Sequence, residues 1–170
     1  FIKEWALSLD SWKEAAPFVD MIAPQHVNEF ISVNAIAGAT NLPIIFSDEY
    51  FGFHYPGKTG SLHAGLVSHD ARGEVYEANL MRHFRDPQVL GVTYCACMYD
   101  QGGNTLAKNN QNGFYSLDGK PREKLIEAVT KVNGSVYEHA TNPASPEELK
   151  KLHTELFGKW KEHGVRRNRK

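Results

Sequence analysis

The chain has 170 residues and a formal net charge of −1, with 41% hydrophobic and 23% charged residues. These values are ordinary for a single globular domain with its own hydrophobic core. A near-neutral charge and the lack of any apolar run of about 20 residues argue against nucleic-acid and membrane contacts, so we expect neither kind of partner.

The first part of the chain predicts a helix, a strand and a second helical stretch. Ser11 and Glu14 have the spacing of a capping box, so a short helix is expected to begin there and to end before Pro17. The apolar run at 18–23 predicts a strand. Residues 27–40 are predicted to be partly helical.

A carboxylate at the end of a buried strand is the most informative feature of the sequence. The apolar run at 42–46 predicts a second strand, which the acids Asp48 and Glu49 follow. The long loop predicted at 50–69 opens with aromatic residues, which can stack on the apolar faces of sugars. A carboxylate in this setting can attack or stabilise a cationic anomeric carbon, so the pattern predicts a sugar-cleaving site.

The middle of the chain repeats the order of strand and helix. A helix is predicted at 71–85 and a third strand at 89–98, apolar on both faces as in a parallel sheet that is covered on both sides. A polar loop follows at 102–113, and Pro121 is expected to open another helix. Alternating strands and helices predict an α/β fold with parallel strands.

A separate helix is predicted near the C-terminus. Ser145 and Glu148 form a second capping box, and Gly164 is expected to end the helix. Leucines and Trp160 form its apolar stripe, which indicates a docking surface. We therefore divide the chain into an α/β domain at 1–135, which contains the predicted site, and a linker, amphipathic helix and basic tail at 136–170.

Three segments in this order resemble the last part of clan A glycoside hydrolases, which are (β/α)₈ barrels. They are Leu42–Tyr50, Val89–Tyr94 and Gly113–Pro121, and the pieces Glu49–Phe53 and His63–Val67 are most similar to family 50 β-agarases. The resemblance implies that the chain carries strands six to eight of a TIM barrel, about three βα units. Such barrels take about 250 residues, so these strands form only a portion of one.

The resemblance also implies that Glu49 is the nucleophile of a retaining enzyme. Side chains alternate along a strand, so only one of Asp48 and Glu49 can face the site, and Glu49 matches the motif. A structural cap or ion pair at Glu49 is the alternative. The acid/base is missing from this chain, since the pair Asn28–Glu29 lies by the wrong strand.

Candidate substrate-binding residues share a place at a predicted strand end or in the long loop. They are His26, Phe51, His54, His63, Tyr94, Asp100 and Gln101. Structural roles for the histidines and loop packing for the aromatic residues remain open alternatives. Neither a His-x-x-x-His pair nor a Cys-x-x-Cys motif occurs, so we expect no metal and no cofactor.

These observations predict part of a glycoside hydrolase acting on β-linked, agarose-like galactan. Another clan A activity, such as β-galactosidase or β-glucanase, and a non-catalytic carbohydrate-binding half-barrel are the alternatives. The start at Phe1 favours a processed product or a piece of a longer protein. We expect the missing N-terminal part of the barrel as a second chain, or a homo-oligomer, and export to the periplasm or medium if the substrate is a polysaccharide.

Overall fold

A computed structural model describes residues 9–24, 33–49, 66–94, 98–99 and 113–163. These residues form helices and strands in an α/β order. The elements are α1 (Leu9–Ala15), a 3₁₀ turn (Ala16–Phe18), α2 (Val33–Thr40), β1 (Ile44–Glu49), α3 (His69–Phe84), β2 (Val89–Tyr94), α4 (Glu123–Gly134), α5 (Val136–Thr141) and α6 (Pro146–His163).

The sheet is parallel, as the sequence predicts. β1 pairs with β2, and α3 forms the connection between them. On its other edge β1 meets the segment around Ile22, whose N–H donates to Pro43 O at 3.0 Å and whose carbonyl accepts from the N–H of Ile45 at 3.0 Å. The order in space is therefore the Ile22 segment, β1 and β2, and each outer edge has no strand partner among the described residues.

The strand predicted at 18–23 is wrong in its extent. Pro17 lies in the 3₁₀ turn that ends at Phe18, and pairing with β1 begins only at Ile22. It extends to Pro24, whose carbonyl accepts from the N–H of Ser47 at 3.0 Å. Proline fixes φ and has no N–H to give to a sheet, which favours the turn at this place. Phe18 is consequently 85% exposed rather than buried in a strand.

Other predicted boundaries shift as well. β1 continues through Glu49, so this acid closes the strand instead of following it. Leu90 of β2 is 64% exposed, contrary to the prediction of a strand covered on both sides. α4 begins at Glu123, because Pro121 forms an antiparallel bridge with Tyr115. The helix α5 was not predicted.

Two apolar clusters hold the elements together. The first joins α3, α4 and α6, and its buried members are Leu66, Ala71, Val75, Tyr76, Leu80, Leu125, Val132 and Leu156. The second joins the sheet to α2, and its buried members are Ile22, Ile36, Ile44 and Phe46. The two clusters place β1 and β2 against a layer of helices, as in a βα unit whose helix covers the sheet.

The C-terminal helix follows its prediction closely. The N–H of Ser145 donates to the Glu148 carboxylate at 2.8 Å, and the N–H of Glu148 donates to Ser145 Oγ at 3.3 Å, which completes the capping box. Leu156 on the predicted stripe is buried. The boundary between the two proposed domains stays a prediction. None of the described helices has the length and apolar character needed to cross a membrane.

Candidate active site

The carboxylate of Glu49 lies between the sheet and α3. Glu49 closes β1 and is 9% exposed. Its Oε2 accepts a hydrogen bond from Nδ2 of Asn79 at 3.1 Å, and its Oε1 lies 3.9 Å from Nε2 of His83. Asn79 and His83 are both buried residues of α3. The carboxylate that the sequence selects is therefore buried and fixed from the helix side.

Strand register accounts for this orientation. Glu49 pairs with Tyr94 of β2, and paired residues of neighbouring strands project from the same face of a sheet. Tyr94 also points to α3, where its ring meets that of Tyr76 at 5.9 Å in an edge-on contact. An irregularity between Phe46 and Glu49 interrupts the regular alternation of side chains along β1. Glu49 and Tyr94 thus both face the helical layer.

His83 is a neutral neighbour of Glu49. Burial holds the pKa of His83 well below its usual range, and the positive charge of Arg82 lowers that pKa further. Its ring stacks at 4.0 Å on Phe46, and its Nδ1 has no hydrogen-bond partner among the described residues. A separation of 3.9 Å from a neutral imidazole is neither an ion pair nor a hydrogen bond, so His83 packs beside Oε1 without a strong polar contact.

Arg82 brings a positive charge to the same region. Burial lowers the pKa of Arg82, while the negative charges of Asp86 and Glu49 oppose that change. Burial also raises the pKa of Asp86, although the N–H of Gln88 donates to its Oδ1 at 3.0 Å and stabilises the charged form. The carboxylate of Glu49 therefore lies in the field of a cation, which favours its ionised state.

Tyr94, a candidate for sugar binding, takes part in a buried polar contact. Nη2 of Arg72 donates to the Tyr94 hydroxyl at 3.0 Å and to the carbonyl of Gly113 at 2.9 Å. Arg72 is fully buried, and its Nη1 lies 3.0 Å from Nδ1 of His69. These contacts connect β2 to α3 and to the start of the last segment, which gives Tyr94 a structural role whether or not it binds sugar.

The other predicted site residues cannot be compared with the structure. They all lie outside the described residues, and they are His26, Phe51, His54, His63, Asp100 and Gln101. Their roles remain predictions. The side chain of Asp48 and the pair of residues Asn28 and Glu29 also lie outside the described part.

Sequence reasoning missed the polar residues of α3 that contact the candidates. The prediction used the apolar positions of this helix, whereas Arg72, Asn79 and His83 lie on the same buried stripe. Residues 72, 76, 79 and 83 follow a spacing of three or four, which puts them on one helix face. This spacing was the available signal, since polar residues within a buried stripe are expected to have partners.

Comparison with known proteins identifies the fold. No family model matches the chain, and no curated protein matches it. Solved structures do. An exo-beta-agarase is 18% identical with a TM-score of 0.63 over 78% of this chain and 18% of its own. PfGH50B is 21% identical with a TM-score of 0.62 over 81% and 20%. The agarase AgWH50C is 24% identical with a TM-score of 0.64 over 80% and 22%.

These similarities confirm, at the level of fold, the resemblance to family 50 agarases. The described part of the chain has the fold of a segment of those structures. It spans only 18–22% of the three structures, so it corresponds to a fragment of that fold. The mixed α/β architecture is confirmed, and completion of the sheet into a TIM barrel is a proposal.

Proposed function

We propose that this chain is one part of a retaining glycoside hydrolase that acts on agarose-like, β-linked galactan. The observation that carries the proposal is the match of 78–81% of the chain to the agarase structures at TM-scores of 0.62–0.64. In this proposal β1 and β2 are strands seven and eight of a (β/α)₈ barrel, and the Ile22 segment belongs to strand six. Active sites of such barrels lie at the C-terminal ends of the strands, where Glu49 closes β1.

Glu49 is the nucleophile of the proposed reaction. Its carboxylate attacks the anomeric carbon, and a second carboxyl group about 5–5.5 Å away protonates the leaving oxygen as the glycosidic bond breaks. The same group then removes a proton from water, which displaces Glu49 and releases the sugar with retained configuration. The part of the barrel outside these 170 residues supplies this acid/base, either in the same polypeptide or in a second chain.

A structural role for Glu49 is the competing proposal, and a specific observation favours it. The carboxylate accepts from Asn79 of α3 and projects from the sheet face that packs on this helix. If Glu49 serves only to join β1 to α3, the chain belongs to a non-catalytic carbohydrate-binding subunit. Catalysis requires that the Glu49 side chain reach substrate from this position or turn to the other face of the sheet.

Glu49→Gln separates the two roles. The amide oxygen of glutamine can still accept the Asn79 hydrogen bond, so the contact with α3 persists while the nucleophile is lost. In the complete enzyme we expect kcat on agarose to fall by at least about a thousandfold with the thermal midpoint little changed. Turnover near that of wild type would overturn the nucleophile assignment. Aryl β-galactosides and β-glucans, assayed in parallel, test the other clan A activities.

We also expect the isolated chain to be inactive. Without the acid/base and most of the cleft, the purified 170-residue chain is expected to hydrolyse neither agarose nor an aryl β-galactoside. Reducing-sugar and chromogenic assays at high protein concentration measure this. Hydrolysis by the isolated chain, abolished by Glu49→Gln, would contradict the need for a complementing polypeptide.

A further inference from the structure

A side-chain amide from α3 reaches the candidate nucleophile through a buried contact. Nδ2 of Asn79 donates to Oε2 of Glu49 at 3.1 Å, and the two residues are 6% and 9% exposed. Hydrogen bonds to ionised groups are stronger than those between neutral groups, and burial strengthens them further. This amide therefore acts on both the orientation and the charge of the carboxylate.

We propose that Asn79 is a positioning residue for Glu49: it holds one carboxylate oxygen in place and favours the ionised form that nucleophilic attack requires. The inference rests on the proposed function and applies to the case in which Glu49 reaches substrate from its position against α3. Its geometric basis is the spacing of Asn79 and His83, four residues apart on one face of α3. This spacing places the Asn79 amide at one oxygen of Glu49 and the His83 ring beside the other.

The charges around the contact support this role. Arg82 acts on Glu49 with an attractive charge. A buried carboxylate is held ionised by donated hydrogen bonds and by nearby cations. Removal of the Asn79 amide takes away one of these contributions and leaves Arg82 in place, so a measurable but incomplete change is expected.

The first test measures the charge of Glu49 directly. Carbon-13 NMR of the chain with labelled glutamate follows the titration of each carboxyl, and Glu49→Gln identifies the Glu49 signal by its loss. Asn79→Ala is expected to raise the pKa of Glu49 by about one pH unit. Asn133→Ala is the matched control. Asn133 lies on α4, and its side-chain oxygen accepts a hydrogen bond from the Tyr76 hydroxyl at 3.4 Å instead of contacting Glu49. This variant should leave the Glu49 titration unchanged.

The second test uses activity of the complete enzyme. If Asn79 positions the nucleophile, Asn79→Ala shifts the acid limb of kcat/KM to higher pH by the same amount and lowers kcat roughly tenfold with KM little changed. A purely structural role would lower the amount of folded enzyme without moving this limb. Should the alanine variant fail to fold, Asn79→Asp keeps the side-chain size and is expected to raise the limb further by like-charge repulsion.

Failure of this inference is distinguishable from failure of the proposed function. An unchanged Glu49 titration and an unchanged acid limb in both Asn79 variants would overturn the positioning role while Glu49→Gln still abolished turnover. Full turnover of Glu49→Gln would overturn the proposed function, and the positioning role with it.

Discussion

At the scale of single residues, a glycine sets how closely two helices approach. A Cβ built on Gly73 of α3 would lie 2.6 Å from the carbonyl oxygen of Lys124 and 3.1 Å from its carbon, both backbone atoms of α4. A backbone carbonyl within a helix cannot move aside as a flexible side chain can. The contact between α3 and α4 therefore depends on the missing side chain at this position.

Gly73→Ala is expected to destabilise the fold by about 1–3 kcal/mol, because the added methyl group forces α3 and α4 apart. Urea unfolding measures the change. Gly158→Ala is the matched control: this glycine lies within α6 and its Cβ would meet nothing within 4 Å. Gly158→Ala should stabilise the folded chain by up to about 1 kcal/mol, because alanine has a higher helix propensity than glycine. Equal changes in unfolding free energy at the two positions would show that α3 and α4 can accommodate a methyl group at Gly73 without cost.

His83 gives the fold a pH dependence whose sign follows from its burial. Burial holds its pKa well below the usual value, so in the acid range the unfolded chain binds a proton at this residue that the folded chain does not. Stability falls with decreasing pH wherever the unfolded state binds more protons. The loss begins near the unfolded pKa of about 6.5 and grows until the pH reaches the lowered folded pKa.

Wild type is therefore expected to lose about 1.4 kcal/mol more than His83→Gln between pH 7.5 and pH 5.5. Urea midpoints and slopes at the two pH values measure the difference. All other titrating groups are common to the two proteins, so the difference between them reports the titration of His83. Among the described residues, Arg82 acts on His83 through its charge, and the Glu49 carboxylate lies 3.9 Å away. Parallel pH profiles for the two proteins would show that His83 protonates equally in both states.

At the scale of elements, the described contact of α6 with α3 combines buried Leu156, the partly buried Trp160 and a set of surface charges. Leu156 is 7% exposed and belongs to the cluster of α3 and α4. Glu74 of α3 pairs with Lys159 and lies 3.3 Å from His163 Nε2, and hydrogen bonding by Lys159 lowers the pKa of Glu74. Exposed ion pairs contribute little, so the apolar contact dominates docking.

Leu156→Ala is expected to destabilise the fold by about 2–5 kcal/mol, since it leaves a cavity under α6. Phe157→Ala is its control on the adjacent residue, because Phe157 is 48% exposed and helix propensity favours alanine. Urea unfolding and amide hydrogen exchange of α6 measure both variants. If Phe157→Ala were the more damaging variant, α6 would dock through its other face.

Elements with strong periodic patterns were predictable from the sequence, and their exact pairing was not. The stripes of α3 and α6 and the capping box at Ser145 identified those helices, because period and cap are local properties. The strand predicted at 18–23 has the wrong extent, because which of its residues pair with β1 is a long-range property that an apolar run does not encode.

The candidate site shows the same division between local and long-range information. The sequence selected Glu49 by its place after an apolar run, and the strand does end there. The contact with Asn79 joins residues thirty positions apart, and no local pattern specifies it. The direction of the Glu49 side chain also depends on the irregular register of β1 with β2, which only the assembled sheet determines.

At the scale of the whole molecule, the outer edges of the sheet have no strand partner among the described residues and lie beside exposed apolar residues. β2 has one strand partner among the described residues, and its Leu90 is 64% exposed. Near the opposite edge, Phe18 is 85% exposed and Met21 is 45% exposed. Unpaired strand edges are sites for association with further strands. Since the chain spans about a fifth of the agarase AgWH50C, the remaining strands of the proposed barrel are the expected occupant.

Leu90→Glu tests this arrangement. The substitution places a charge on an already exposed position, so the isolated chain is expected to change in stability by less than about 0.5 kcal/mol. Association with the polypeptide that completes the barrel should weaken at least about tenfold, because the charge would be buried in the closed sheet. Tyr137→Glu on α5 is the control, since Tyr137 is 84% exposed and belongs to neither sheet edge.

Native mass spectrometry of the mixed chains, with recovery of agarose hydrolysis as the second readout, measures association. The expected result is a complex of this chain with its complement that Leu90→Glu weakens and Tyr137→Glu does not. Equal association of both variants would exclude the β2 edge from the interface. A mass of two copies of this chain, sensitive to Leu90→Glu, would instead identify the homo-oligomer, in which the open edges of two identical sheets meet.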